Sequence, residues 1–223
     1  MRCRLRCAGL ERVRCLRFKE IFKLKIVILG PDGAGKSSVI EGLMGTLRLE
    51  GRAVKMRHLK PRIVARLRSQ SDVIVVDPHG KPPRGVLLSL AKIAAWTAEE
   101  WYGTLLHETK KTVLICDRYY HDLLVDPKRY RFGAPYWTAE LVGRLMPQPK
   151  LWILLDAPPS VLQERKQEVS PEETARQCDA YKAFIGKQQK HVIIDASQPL
   201  DKVIVDVENA IKKAVIGDEG NRG

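Results

Sequence analysis

The chain lacks the features that would place it in several broad classes. No run approaches the roughly 20 consecutive apolar residues of a membrane helix, and the N-terminal apolar residues are interrupted too often to form the core of a secretory signal. Cysteine is scarce and scattered: Cys3, Cys7, Cys15, Cys116 and Cys178 make an odd count of five. Three lie in a basic stretch, one in an apolar run and one in a helical segment, so the four clustered ligands of a structural zinc site are missing. Reduced thiols and a cytoplasmic location are the expectation. There is no internal repeat and no low-complexity tract.

Acid is also in short supply. Against 39 Lys and Arg stand 26 Asp and Glu, a formal net charge of +13. The excess is uneven, because residues 1–23 hold eight basic residues and only two glutamates. That start reads as a basic extension over 1–22, or as a start codon placed too early; an organelle presequence would be Arg-rich too, but the usual serines are absent. The remaining positive charge suits a cleft that draws in polyanionic substrates. Charge alone speaks for nucleic acid at 1–23 and 52–68, and no nucleic-acid-binding motif accompanies it, so nucleic acid is not an expected partner. At 223 residues the chain is long enough for one well-buried domain. Its bounds are expected at 23–215, with a frayed tail over 216–223.

Apolar runs recur between helical patterns. Residues 23–30, 53–59, 112–118, 150–157 and 191–197 read as strands, rich in Val, Ile and Leu as parallel strands covered on both faces are. Helical spacing runs from Ser37 to Glu50, from about Gly85 to His107, and from near Pro199 through Val203, Val207 and Ile211. This alternation predicts an α/β fold with a doubly wound, five-stranded parallel sheet and helices on both faces. The stretch 72–85 begins like a strand and ends Pro/Gly-rich like a loop.

The most specific motif follows the first strand. Gly30-Pro31-Asp32-Gly33-Ala34-Gly35-Lys36-Ser37 fits G-x-x-x-x-G-K-[ST], entered by a strand and left by a helix. Glycines let backbone N–H groups turn inward around phosphate, and the helix N-terminus adds positive potential. Gly30, Gly33, Ala34, Gly35, Lys36, Ser37 and Ser38 are therefore candidate ATP-binding residues. Lys36 is placed on the outer phosphates and Ser37 on Mg²⁺. An N-K-x-D motif for guanine is missing, and no strand ends in the paired acids of a motor ATPase. One strand instead ends Asp117-Arg118-Tyr119. An acid followed by arginine there stands in the crevice where doubly wound sheets bind ligands. Asp117 suits Mg²⁺ or a proton, and Arg118 suits a phosphate held bidentately.

"GPDGAGKSS", "CDRYY", "LLDAPPSVLQERKQE" and "IDASQPLDKVIVDVENAI" together resemble the thymidylate kinase family of P-loop nucleoside monophosphate kinases. The resemblance implies ATP and Mg²⁺ as cofactors and phosphoryl transfer to a nucleoside monophosphate such as dTMP. It implies catalytic roles for Lys36, Asp32, Asp117, Arg118 and Arg165, the last in a short lid near 164–174, with or without Lys166. It places Ala196 and Pro199 beside adenine, and Ser37 and Asp117 at the metal. Asp32 would face the acceptor, where a carboxylate can accept a hydrogen bond from a sugar hydroxyl.

The resemblance thins on the acceptor side. The family's Arg-Glu-Pro-Gly-like motif is replaced by "MRHLKPRIVARLR", and the helix expected to carry a base-clasping arginine has Trp96, Trp101 and Tyr102 but no arginine. A basic cluster, Lys128, Arg129 and Arg131, follows the Asp-Arg-Tyr motif. Arg57, Arg62, Arg118, Tyr119, Arg131 and Asp32 are the candidate acceptor-binding residues. The acceptor is expected to be a small molecule bearing a phosphate or a hydroxyl; a deoxynucleoside, or a sugar of bacterial surface-polysaccharide synthesis, is the alternative to a nucleotide. A homodimer is among the assemblies this reading allows.

Overall fold

The structure, a computed structural model, describes residues 25–49, 53–58, 82–107 and 112–216. The basic extension, Arg62 and the strand-like part of 72–81 lie outside the described residues. Pro82 to Gly85 belong to neither helix nor strand.

Five strands form one parallel sheet: β1 (Lys25–Leu29), β2 (Ala53–His58), β3 (Thr112–Asp117), β4 (Leu151–Asp156) and β5 (His191–Asp195). Their order is β2-β3-β1-β4-β5. The crossovers are helical, as parallel pairing requires. Helix α1 (Lys36–Leu49) follows β1, α2 (Val86–His107) precedes β3, and α3 (Asp122–Val125) with α4 (Tyr136–Leu145) link β3 to β4. Next come α5 (Pro159–Arg165) and α6 (Pro171–Ile185), and α7 (Leu200–Ile216) ends the described chain. The chain reaches β4 by passing over β1, so the carboxyl ends of β3, β1 and β4 stand side by side where the winding reverses. This is where an open α/β sheet binds its ligand.

The continuous apolar run of β1 is explained by burial on both faces. Ile26 and Ile28 point into one core with Val39, Ile40, Leu43, Val203 and Val207. Val27 and Leu29 point into the other with Ile93, Trp96, Tyr120, Trp152 and Tyr181. Each aliphatic side chain so enclosed contributes about 1.5–3 kcal/mol.

The second core also holds charge, which hydrophobic patterning does not reveal. Glu100 of α2 is buried and binds Lys25 at 3.2 Å and Arg57 at 2.6 Å. A buried carboxylate between two cations avoids the large cost of an unpaired charge. Of the three aromatics of α2, Trp96 packs in the core, edge-on to Tyr120 and Tyr130, while Trp101 and Tyr102 are exposed. Among the described residues no helix is long and apolar enough to cross a membrane.

Candidate active site

The chain leaves β1 at Gly30 and turns through the loop into α1. Ala34 N–H donates to the Pro31 carbonyl at 3.3 Å, and Val39 N–H to the Gly35 carbonyl at 3.0 Å, starting the helix. Two glycines are required for different reasons. Gly33 has φ +86°, and a Cβ there would lie 2.7 Å from the Leu162 carbonyl oxygen of α5. Gly35 has φ +76° with nothing within 4 Å of where a Cβ would stand, so its hydrogen faces open space at the mouth of the loop. Open backbone of this kind is what a phosphate-binding loop presents to an anion. Ser37 and Ser38 are exposed in the first turn of α1.

Lys36 is buried, and its Nζ donates to the Gly30 and Pro31 carbonyls, each at 2.7 Å. Burial pushes its pKa down and the nearby Arg118 guanidinium adds to this; Asp32, Asp122 and Asp117 pull the other way, leaving it at about 8. Asp117, at the end of β3 opposite Ile28 in the register, thus lies within electrostatic reach of Lys36.

Arg118 adopts φ 67°, a left-handed conformation that costs a non-glycine residue about 1–2 kcal/mol. Its N–H still donates to the Ile28 carbonyl at 3.2 Å, extending the ladder by one bond. The kink divides two neighbours. Arg118 turns towards the phosphate loop, and Tyr119 turns into the core.

Around Arg118 is a dense ionic network. Its Nη2 donates to Asp32 Oδ1 at 2.6 Å and its Nη1 to Asp122 Oδ2 at 2.7 Å. Arg129 Nη1 donates to the other oxygen of Asp32. Asp122 is fully buried and also accepts from the hydroxyls of Tyr130, at 2.6 Å, and Tyr181. Burial raises the Asp32 carboxyl, but Arg118, Lys36 and Arg129 outweigh it and hold the group below the usual carboxylate range. Asp122 is likewise buried, yet Arg118 and the two tyrosine hydroxyls hold it low.

The structure brings Asp32, Lys36, Asp117 and Arg118 together and separates other residues expected beside them. Tyr119 is 1% exposed, with its hydroxyl donating to the Pro147 carbonyl at 2.6 Å, so it packs in the core and not on the acceptor side. Arg57 is held by Glu100 beneath α2. Arg131 points away from Asp32, its Nε donating to the Pro82 carbonyl at 2.9 Å while Arg84 N–H bonds the Arg131 carbonyl. Two residues earlier in the same basic cluster, Arg129 makes the approach instead. Arg129 stood in the basic cluster noted in the sequence but not among the candidate acceptor residues, and Asp122, Tyr130 and Tyr181, which join it around Arg118, were not candidates either. For Asp122 the available signal was its i,i+4 spacing from Arg118 at a helix start.

Arg165 ends α5 and donates to the Ala196 carbonyl at 2.7 Å and the Ser197 carbonyl at 3.5 Å, tying α5 to the loop after β5. Ala196 is anchored by its own N–H to the Asp156 carbonyl at 2.7 Å, and the Pro199 carbonyl accepts the first bonds of α7. Five residues join α5 to α6, with Lys166 paired to Glu168 and Ser170 capping α6 through the Glu173 N–H. Gln163 braces the link, donating to Val169 O at 3.0 Å and Thr174 Oγ1 at 2.5 Å.

A phosphate loop and an Asp-Arg strand end thus share one crevice, with an arginine-tipped helix beside it. No curated protein matches the chain. The family description that does match, Thymidylate kinase, covers residues 28–211, which takes in the loop, Arg118, Arg165 and most of α7. The chain belongs to the thymidylate kinase family, whose members are ATP-dependent kinases of nucleotides.

Proposed function

We propose that the chain moves the γ-phosphoryl group of ATP to the phosphate of a nucleoside monophosphate, with dTMP as the first acceptor to test. The observation that carries this reading is the meeting of Lys36 and Arg118 around Asp32, which puts a donor-side and an acceptor-side cation into one another's field. In such a transfer the bond from the γ-phosphorus to the β–γ bridging oxygen breaks and ADP leaves. A new bond forms to an oxygen of the acceptor phosphate. Catalysis is then positioning and charge stabilisation. Lys36 would follow the β/γ oxygens, Arg118 would hold the acceptor phosphate, and Arg165 with Lys166 would cover the transferring group from the lid. Ala196 and Pro199 would border the adenine.

A phosphate acceptor needs no general base, because its oxygen is already ionised near neutral pH. A hydroxyl acceptor needs one, and Asp32 is poorly suited: both of its oxygens accept from guanidinium groups and its carboxyl is held low. This favours the monophosphate over a nucleoside or sugar hydroxyl.

The donor set also fits Mg²⁺. Among the described residues no group of three His, Cys, Asp or Glu converges. Magnesium commonly uses one carboxylate, with the rest of its shell from phosphates and water. Asp117 and the exposed Ser37 hydroxyl would supply the protein's share, and the ion would neutralise charge on the phosphates.

The chain is also read as pairing with a second copy. The exposed face of α2 carries Leu87, Ala91, Ala94, Ala98 and Trp101 at alternating spacings of four and three, with no charge among them. Exposed Trp137, Leu141 and Leu145 continue the apolar surface on α4, where Trp101 Nε1 donates to the Leu145 carbonyl. Such a stripe is self-complementary under two-fold symmetry.

Release of ADP, coupled to a reporter and run against dTMP, other monophosphates, thymidine and sugars, tests the reaction. Turnover with dTMP or another monophosphate above the rate of ATP hydrolysis is expected. Turnover only with hydroxyl acceptors overturns the reading.

A further inference from the structure

We propose that Arg118 and Arg129 form a two-armed fork for the acceptor's phosphate, and that Asp32 is the internal anion holding the fork until that phosphate takes its place. This rests on the phosphate-acceptor reading above and extends it to a residue, Arg129, that the family resemblance did not supply.

The geometry is that of an anion site. Arg118 Nη2 and Arg129 Nη1 approach opposite oxygens of a single carboxylate. Two guanidinium groups repel at this distance and gather only around a negative charge. Both arms are fixed from behind. Arg118 is tied through Nη1 to Asp122. Arg129 is fixed through its backbone N–H to Asp126 Oδ1 at 3.2 Å, and its neighbour Tyr130 is fixed through its hydroxyl to the same Asp122. One buried carboxylate therefore steadies both arms.

Exposure tells the two anions apart. The Asp122 side chain is wholly enclosed, whereas the side chains of Asp32, Arg118 and Arg129 are 12%, 14% and 23% exposed. An anion arriving from solvent meets the fork at Asp32. A phosphomonoester brings three oxygens and close to two negative charges, and a carboxylate brings two oxygens and one charge. The phosphate therefore satisfies two planar forks more fully. Asp32 keeps a counterion after the exchange, because the Lys36 charge already acts on it. The acceptor this fork selects is a phosphomonoester, and an uncharged hydroxyl compound leaves Asp32 where it is.

The test uses the full chain saturated with a non-hydrolysable ATP analogue, so that added anions report on the acceptor side. Inorganic phosphate and dTMP are titrated calorimetrically into the wild type, Arg129→Ala, Arg129→Lys and Asp32→Asn. The wild type is expected to bind both saturably. Arg129→Ala is expected to weaken both by about tenfold or more, Arg129→Lys to restore part of the loss, and Asp32→Asn to tighten inorganic phosphate. The proposal is overturned if the wild type does not bind phosphate, if Arg129→Ala changes its affinity less than twofold, or if Asp32→Asn weakens it. Phosphate binding that obeys these expectations without dTMP turnover would sink dTMP as substrate and keep the fork. Turnover of dTMP with the same KM in Arg129→Ala would sink the fork and keep the reaction.

Discussion

Arg118 and Asp122 stand four residues apart and meet Nη1 to Oδ2 at 2.7 Å, with the carboxylate fully buried. The pair joins the end of β3 to the start of α3, and Tyr130 and Tyr181 complete the carboxylate's partners. Asp122→Asn keeps the shape and removes the charge, leaving the Arg118 guanidinium under-compensated. The expected cost is about 3 kcal/mol or more, read as a shift of the urea midpoint. Tyr181→Phe deletes one donor and should cost about 1 kcal/mol. Equal costs for the two would contradict a network centred on the buried charge.

The glycines of the phosphate loop should separate stability from binding. Gly33→Ala drives a methyl against the Leu162 carbonyl and should lower Tm markedly. Gly35→Ala has room, so only its left-handed backbone is penalised, by about 1–2 kcal/mol. Its methyl would project into the mouth of the loop, and loss of ATP binding with a modest change in Tm is expected. Thermal melts with and without ATP distinguish the two patterns.

Arg165 ties the end of α5 to the loop after β5. Arg165→Ala should loosen that side of the site, raising KM for ATP about fivefold, or about 1 kcal/mol, the size of one typical intramolecular hydrogen bond. KM for the acceptor should move little. A larger effect on the acceptor than on ATP would reverse the assignment.

His121 gives the protein a sensitivity to acid. It is buried, donates through Nε2 to the Gly143 carbonyl at 3.0 Å, and lies among Tyr119, Trp152 and Phe184. Burial lowers its pKa from 6.5 to about 4, against the opposing hydrogen bond to Gly143. Between these values the unfolded chain holds the extra proton, so stability falls as the pH drops from 6.5 towards 4. The slope reaches at most about 1.4 kcal/mol per pH unit from this group. In His121→Gln, denaturation curves across that window should show a shallower slope.

The apolar stripe on α2 and α4 predicts a dimer in sedimentation equilibrium. Leu87→Glu together with Trp137→Glu should shift the mass to the monomer while leaving the far-ultraviolet circular dichroism unchanged. A wild type that sediments as a monomer would remove the second copy from the account.

Much of the fold was legible because its signals are local. Ile26 to Leu29 of β1 and Leu151 to Leu155 of β4 are unbroken apolar runs because both faces of each are covered, and the glycine spacing of the loop is dictated by a backbone path around phosphate. The site was only partly legible because its assignments depend on distant contacts. Nothing near Tyr119 says that a left-handed turn at Arg118 will send it inward. Arg129 and Arg131 are equivalent in composition, and it takes contacts with the distant Pro82 and Arg84 to show that Arg131 is engaged elsewhere while Arg129 reaches Asp32. Arg57 looked available because its partner, Glu100, lies far along the chain inside an otherwise apolar core.

The Leu162 carbonyl does two jobs: Gly33 packs against it from the phosphate loop, and Lys166 N–H bonds it at 2.9 Å where α5 ends. The stem of α5 is thus clamped to the loop and cannot swing without dragging it. Arg165 belongs to this stem, so opening of the 164–174 segment would carry Lys166 onward and leave Arg165 in place beneath the moving cover. The nucleotide's phosphates would then rest on a floor that stays still through the cycle, and only the cover overhead would travel.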